Sequence, residues 1–300
     1  MNRLAQPKKF LNDELVDFGL RTLLHENRIS STGATDTGDG FVSLFCIDPP
    51  LNERAELVFA YTTHFYKKLV PEQTWSASSF SSSSSSSASS SFSSSSSSYS
   101  PLPRRHWTAQ RIEETSLQRY GGVARWSKNV DLFTMRFIFV PIVKDLHWSM
   151  IILANMDSII MDPISDAHPR AEIANALRQY LVDEFAAKKT RTWDTACGVT
   201  SNEILDILRT LPVVAPDIPT QNNTWDCGLY SVKYTEDFFK IWPNISADDA
   251  ANNRVPGFTN EMFTGDEIVR KRTNMLRAIE ALIREREDRL QSAGDCEDTP

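Results

Sequence analysis

Hydrophobic residues recur along this chain with helical spacing in several segments, and that spacing predicts most of its secondary structure. The clearest case is 11–27, where Asn12 can cap the helix and the acidic Asp13 and Glu14 occupy its first turn. The run Thr264 to Glu267 is typical of a capping box and starts a last helix. The predicted helices are 11–27, 55–70, 170–189, 201–210, 227–241 and 264–290.

Strand-like runs rich in Ile, Val and Phe occupy the middle of the chain, at 132–143, 148–154 and 158–162. The breaks at 144–147 and 155–157 are short enough for hairpins, so the three runs predict a meander. The polar stretch 243–262 is predicted to be loop. Helices followed by a short meander and then more helices indicate an α+β fold.

A serine-rich stretch interrupts this pattern, with 20 Ser in the 25 positions 76–100. Such a segment buries almost nothing and pays the full entropy of ordering, so 76–104 is predicted to be a flexible insertion in a surface loop. Loop closure costs little extra for a long loop, so one domain over 1–300 can contain it. The acidic end, 292–300, is predicted to be disordered. A role in phosphorylation or docking stays open for the serines.

Composition excludes several classes of protein. Hydrophobic residues make up 41% and charged residues 24% of the chain, which is ordinary for a globular protein and excludes a wholly disordered or fibrous one. A net charge of −7 argues against a nucleic-acid partner. The longest apolar run, Phe137 to Val143, is too short to span a bilayer, and the N-terminal residues lack a signal-peptide core, so we expect no membrane association.

The cysteines and histidines are dispersed. Cys46, Cys197, Cys227 and Cys296 form no CxxC pair, so we expect free thiols, one of which can be a nucleophile. The five histidines are too scattered along the chain to propose a metal site.

Three places concentrate reactive side chains: His147 between two predicted strands, Asp162 at the end of the next strand, and the polar loop 221–228 before a helix. If 148–154 and 158–162 form a hairpin, His147 and Asp162 become neighbours, and the carboxylate can fix the tautomer of the imidazole. Cys227 begins a helix, where the dipole favours the thiolate.

The same loop offers two further groups. Gln221 can reach back to form an oxyanion hole with the Cys227 backbone N–H, and Gly228 leaves space for a substrate carbonyl. Together these groups suit acyl transfer. Each residue also has an ordinary interpretation taken alone: a turn histidine, a turn aspartate before proline, a small core cysteine and a hydrated glutamine.

The order of these groups resembles the Ulp/sentrin-specific family of cysteine proteases, which cut SUMO and related ubiquitin-like proteins. The similar blocks are FLNDELVDFGLRTLL (10–24), VARWSKNVDLFTMRFIFVPIVKDLHWSMIIL (123–153), SIIMDPISD (158–166) and IPTQNNTWDCGLYSVKY (218–234). The resemblance covers about residues 10 to 285 apart from the serine insertion. It implies a papain-like-superfamily Ulp protease fold, with a short central mixed sheet flanked by helices.

The resemblance also implies roles for particular residues. His147, Asp162 and Cys227 form the catalytic triad, Gln221 assists the oxyanion, and no metal or cofactor is needed. Trp148 roofs a narrow channel for the C-terminal Gly-Gly of the modifier; its alternative is core packing.

Three further positions match the family pattern. Phe10 stands where the family commonly has a Trp on the opposite wall of the channel. Asp13 matches a position that meets a basic residue of the modifier, and Trp126 matches a Trp that either packs in the core or contacts substrate. The sequence also departs from the family pattern at Asp162-Pro163, where Asp-Ser is usual.

The resulting hypothesis is a thiol protease or isopeptidase that cleaves after the Gly-Gly of SUMO, in deconjugation, precursor processing or chain trimming. Three alternatives stay open: the same chemistry on another ubiquitin-like modifier, a catalytically weak modifier-binding module, and an acyltransferase. We expect a monomer in the nucleus or cytoplasm whose partners are the modifier and its conjugates.

Overall fold

A computed structural model describes residues 2–6, 8–31, 58–70, 118–135, 137–154, 157–164, 167–188, 200–241 and 246–294. The serine insertion (76–104) and the end of the acidic tail (295–300) lie outside the described residues, as do Cys46, Cys197 and Cys296. The predictions made for them stay predictions.

Five strands form one mixed sheet whose spatial order follows the chain. They are β1 (Val58–Ala60), β2 (Phe137–Lys144), β3 (His147–Ala154), β4 (Asp157–Met161) and β5 (Val213–Val214). The predicted meander is confirmed, because β2, β3 and β4 pair antiparallel in succession. The short edge strands β1 and β5 add to it in parallel. The predicted short mixed sheet is therefore present.

Nine helical segments surround this sheet within the described ranges. They are α1 (Asn2–Ala5), α2 (Asp13–Ser31), α3 (His64–Leu69), α4 (118–123), α5 (Arg170–Lys188), α6 (Ser201–Arg209), α7 (Cys227–Ile241), α8 (Ala247–Ala251) and α9 (Gly265–Gly294). The predicted helices that became α2, α5, α6, α7 and α9 are confirmed.

Three local predictions were wrong. The segment 55–70 is not one helix, because Val58 pairs with Phe137 of β2 as part of a strand and only His64–Leu69 is helical. The start of the predicted strand 132–143 is a 3-10 turn, Leu132–Thr134, which Asp131 caps through its carboxylate. The polar stretch 243–262 contains the short helix α8. Strand pairing with β2 decides the structure at Val58, and side-chain hydrogen bonds to the backbone, from Asp131 and Ser246, decide it in the other two segments. These contacts outweigh the local pattern of hydrophobic and polar residues.

The sheet is buried on both faces, which creates two apolar cores. One core packs α2, α7 and α9 against Trp148, Met150 and Ile152 of β3. The other core packs α3, α5 and α6 against Ile151 and Leu153 of the same strand. Burying a side chain of this size stabilises the fold by about 1.5–3 kcal/mol. Successive residues of β3 thus face opposite helical layers, because side chains alternate between the two faces of a sheet.

Among the described residues, none of the helices combines the length and the apolarity that a bilayer crossing needs.

The turn between β2 and β3 places His147 at the first position of β3. Lys144 pairs with His147, so the turn contains only Asp145 and Leu146, and both have positive φ values, 51° and 62°. Two-residue hairpins with this geometry favour Asn-Gly or Asp-Gly. A Cβ in the left-handed region costs roughly 1–2 kcal/mol, and the Leu146 side chain is exposed, so no packing offsets that cost.

We expect Leu146→Gly to stabilise the protein, because it removes the left-handed strain and creates the preferred Asp-Gly turn. The gain in the free energy of unfolding should be about 0.5–1 kcal/mol after the greater chain entropy of glycine is subtracted. Urea denaturation would measure it. Leu146→Ala is the matched control, because alanine also removes the exposed apolar side chain but keeps the Cβ. An equal gain from both variants would show that strain is not the cause.

Candidate active site

Cys227 is the first residue of α7, and the loop before it explains why the helix begins there. The Asn223 Oδ1 accepts hydrogen bonds from the backbone N–H groups of Trp225 and Asp226, both at 3.0 Å. The Asp226 carbonyl then accepts from Tyr230 N at 3.0 Å, which starts the helical ladder. The Cys227 side chain is a free thiol and is buried. It therefore lies at the positive end of the helix dipole, which favours a negative charge.

His147 and Asp162 meet at one edge of the sheet because of strand register. Met150 of β3 pairs with Met161 of β4, so the next step of the ladder puts Asp162 opposite Ser149, two residues from His147. The His147 Nε2 and the Asp162 Oδ1 are 2.5 Å apart, and both side chains are largely buried. The hairpin thus brings together the two groups that the sequence placed 15 residues apart.

The Asp162 carboxylate is held by the backbone as well as by His147. Its Oδ1 accepts from Ile164 N and its Oδ2 from His168 N, both at 3.0 Å. Pro163, the departure from the family pattern, leaves the carboxylate in place. Its carbonyl accepts from Gln221 N at 2.9 Å, which ties the exit of β4 to the loop before Cys227.

The surroundings of His147 favour its protonated form. Burial is the largest influence and lowers the pKa, but hydrogen bonds to Asp162 and Cys227, with the attraction of both groups, outweigh it. The pKa is raised from 6.5 to about 9. Because Nε2 faces Asp162, the imidazole has Nδ1 left for its contact with the thiol. A protonated imidazole beside a thiolate is the ion pair that thiol proteases use.

A second histidine, His168, packs against the first. Its ring centroid lies 4.8 Å from that of His147, its Nδ1 is 2.7 Å from the Ser149 Oγ, and its Nε2 is 3.4 Å from the Lys144 carbonyl oxygen. Burial, followed by the charge of His147, lowers the pKa of His168, which favours the neutral form of this ring. The sequence pattern does not indicate His168 as part of this site, because only the folded connection between β4 and α5 brings it to this edge.

His147, Asp162 and His168 also form a set that could hold a metal ion, since one ligand atom from each lies within 4.8 Å of the others. The histidines are therefore less scattered in space than in sequence. The same atoms take part in hydrogen bonds within the protein, which a bound cation would have to replace.

Gln221 lies in the loop that leads to Cys227. Its Nε2 donates to the Asn223 carbonyl at 2.7 Å, which uses one of the two amide N–H groups. Its Oε1 is buried and has no hydrogen-bond partner in the described part of the chain. A buried oxygen that accepts no hydrogen bond is uncommon in folded proteins. The side chain is thus held by one contact while part of its hydrogen-bonding capacity stays unused by the described residues.

Trp148 lies beside the N-terminal segment. The indole is buried, and its Nε1 donates to the Leu11 carbonyl at 3.3 Å. Phe10 is half-buried and packs against the same apolar core. A Cβ added to Gly228 would lie 3.1 Å from Leu11 Cβ and 3.1 Å from Val16 Cγ2. Packing on this side of Gly228 is therefore close, and a side chain here would displace its neighbours by a few tenths of an ångström.

Asp13 and Trp126 make other contacts within the protein. Asp13 begins α2 and accepts from Lys67 Nζ at 2.8 Å, so its charge is already paired within the chain. Trp126 is half-buried and packs against Phe65, with ring centroids 5.7 Å apart, in the core on the other face of the sheet. The structure favours the packing interpretation of Trp126.

Comparisons with known proteins show which family and which solved structures this chain is similar to. A family described as "Ulp1 protease family, C-terminal catalytic domain" matches residues 58–273. The "Probable ubiquitin-like-specific protease 2A" of Arabidopsis thaliana is 25% identical over 174 residues, 53% of this chain and 21% of that protein. Human "Sentrin-specific protease 2" is 32% identical over 119 residues, 39% of this chain and 18% of that protein. The matched regions thus span about a fifth of these relatives.

A solved structure described as that of "the de-sumoylating protease" has the same fold. The TM-score is 0.53 at 16% identity, and the match covers 97% of this chain and 90% of the other. The predicted fold class is confirmed by this likeness and by the mixed sheet flanked by helices.

We expect Asp162→Asn to lower the pKa of His147 from about 9 toward its ordinary value of 6.5, because the hydrogen bond and the charge of Asp162 both favour the imidazolium. NMR titration of the His147 ring would measure the midpoint. The raised pKa also stabilises the fold: the contribution is complete below pH 6.5 and is lost as the pH rises through about 9.

The control for this titration is Asp145→Asn, which removes an exposed carboxylate two residues before His147 and tolerates the left-handed turn. We expect Asp145→Asn to change the pKa of His147 only slightly. An unchanged midpoint in Asp162→Asn would contradict the role assigned to the carboxylate.

Proposed function

The chain belongs to the Ulp1 protease family, and we propose on that premise that it is a thiol protease or isopeptidase that cleaves after the C-terminal Gly-Gly of SUMO. The observation that carries the proposal is the contact of His147 with both Asp162, at 2.5 Å, and the Cys227 thiol at the start of α7. Nucleophile, proton carrier and orienting carboxylate are then in one buried cluster.

In the proposed reaction the Cys227 thiolate attacks the carbonyl carbon of the last glycine. The C–N bond breaks as the His147 imidazolium gives its proton to the leaving amine, and a thioester remains on Cys227. His147 then takes a proton from water, the hydroxide attacks the thioester, and the modifier leaves with a free carboxylate while the thiolate returns. Asp162 holds Nε2 and stabilises the imidazolium throughout.

Gln221 and the Cys227 backbone N–H are proposed to stabilise the oxyanion. The loop that carries Gln221 is fixed at Pro163 and at Asn223, so its amide is positioned before substrate binds. Such preorganised donors are worth about 10²–10³-fold in kcat when one is removed.

Phe10 and Trp148 are proposed to flank the Gly-Gly segment of the substrate. The hydrogen bond from Trp148 to the Leu11 carbonyl holds the N-terminal segment next to the nucleophile helix. Two residues without Cβ atoms fit a narrow passage between aromatic rings. Recognition of the rest of the modifier must then come from surfaces farther from the cut.

SUMO is proposed as the modifier because a matched human relative is a sentrin-specific protease. A second candidate is another ubiquitin-like modifier, which the names of the Arabidopsis thaliana relatives favour. A single domain over 1–300, a monomeric state and a nuclear or cytoplasmic location remain predictions.

The proposal is tested by labelling with probes that carry an electrophile in place of the C-terminal glycine carboxylate of SUMO, ubiquitin and other ubiquitin-like proteins. We expect a covalent adduct with the SUMO probe that is lost in Cys227→Ala, because only the activated thiol attacks. Cys197→Ala is the matched control and should keep the adduct. An adduct with another modifier alone would keep the chemistry and change the substrate. A folded protein that reacts with no probe would favour the binding module.

Asp13 is proposed to contact a basic residue of the modifier in exchange for Lys67. Asp13→Asn should therefore raise KM for the intact modifier by about 1.5–5-fold, the range of an exposed ion pair, with little change in kcat. Lys67→Met should shift KM in the opposite direction, because it frees the carboxylate. Steady-state kinetics would measure both. Glu14→Gln changes an exposed carboxylate on the next residue, and an equal effect from it would contradict a specific contact.

A further inference from the structure

Arg272 of α9 connects three separate segments of the chain. Its Nη1 donates to the Arg3 carbonyl at 3.0 Å, and its Nη2 donates to the Lys9 carbonyl at 2.9 Å and to the Asp226 Oδ1 at 2.7 Å. The side chain is only 11% exposed, as is that of Asp226. The guanidinium is therefore largely removed from solvent and joins α9 to the N-terminal segment and to the loop before α7.

One side of this contact is the N-terminal segment. Lys9 immediately precedes Phe10, and the carbonyl of Leu11, the residue after Phe10, accepts from the Trp148 indole. The Leu11 side chain in turn packs against Gly228 in the first turn of α7. Arg272 and Trp148 thus hold the backbone on both sides of Phe10.

The other side of the contact is the loop before the nucleophile. Asp226 accepts from Arg272 through Oδ1 and from the Asn223 Nδ2 through Oδ2, the latter at 2.9 Å. The carbonyl of Asn223 accepts from the Gln221 amide at 2.7 Å. A continuous chain of hydrogen bonds therefore runs from Arg272 through Asp226 and Asn223 to Gln221.

From these contacts we propose that Arg272 is a positioning residue for the cleavage, which holds Gln221, through Asp226 and Asn223, in the geometry that the acyl-forming step requires. The inference rests on the proposed function. A guanidinium suits this role because its planar fork supplies several donors in fixed directions, whereas an ammonium is a single point of charge. Asp226 supplies the counter-charge that a buried cation needs.

The local sequence does not distinguish Arg272 from its basic neighbours. Arg272 ends the run Arg270-Lys271-Arg272, and by composition alone the three are one basic stretch. In the fold Arg270 is exposed, while Arg272 turns toward Asp226. Arg270 therefore offers a matched control on the same helix, two residues away.

The experiment compares Arg272→Met, Arg272→Lys and Arg270→Met in the wild-type and Gln221→Ala backgrounds. The substrate is SUMO with an aminocoumarin on its C-terminal glycine, and each rate is divided by the concentration of active sites titrated with the electrophilic SUMO probe. All rates are taken at a temperature where circular dichroism shows each variant folded.

We expect Arg272→Met to lower kcat by about tenfold or more, since it weakens the support of an oxyanion donor that is itself worth about 10²–10³-fold. Arg272→Lys should lose less, and Arg270→Met should leave kcat unchanged. In the Gln221→Ala background the loss from Arg272→Met should largely disappear, because the group it positions is absent. An equal loss in both backgrounds would mean that Arg272 is only structural, and no loss at all would also overturn the inference.

Asp226→Asn tests the same contact from its other side, so the result does not depend on whether Arg272→Met folds. It keeps the size of the side chain and removes the counter-charge, and it should lower kcat in the wild-type background but not in Gln221→Ala. Failure to show this pattern overturns the inference. A wild-type chain that cleaves no modifier overturns the proposed function and this inference together, whereas an active wild type with a fully active Arg272→Met overturns the inference alone.

Discussion

Strand β3 is paired along both edges and buried on both faces, and it determines where the residues of the proposed site lie. Its antiparallel register with β4 determines that His147 meets Asp162. The alternation of its side chains turns Trp148 toward the layer that contains α7 and His147 toward the edge where β4 ends. A shift of one residue would exchange the two faces and separate these groups. The large apolar area buried on β3 makes such a shift costly.

Around this strand the polar groups of the site form one connected cluster. His147, Asp162, His168 and Ser149 are buried, and backbone N–H groups complete the coordination of the carboxylate. Polar groups in a medium of low dielectric are favourable only when they are paired, and paired groups polarise one another. The raised pKa of His147 and the lowered pKa of His168 follow from this setting. The pKa values of the two neighbouring imidazoles are thus shifted in opposite directions.

Helix α7 is anchored to α9 by charge as well as by apolar contact. Near its start, Asp226 pairs with Arg272, and farther along, Glu236 pairs with Lys271 at 2.5 Å. Burial lowers the pKa of Lys271 to about 8 despite the attraction of Glu236. Buried ion pairs add little net stability over apolar packing, but breaking one leaves a costly unpaired charge. Both pairs join α9 to α7 or to the residue just before it.

The sequence alone determined the features that depend on neighbouring residues: the meander, helices such as α7, and the order His147, Asp162, Gln221, Cys227. Period, caps and short breaks encode these locally. Only the tertiary structure decided the parallel edge strand at Val58, the approach of His168 and the contact of Arg272 with Asp226. It also decided that Leu11 and Val16 pack closely against Gly228 and that Asp13 pairs with Lys67. These features join residues that are distant along the chain, and local periodicity carries no information about which distant partner a side chain meets.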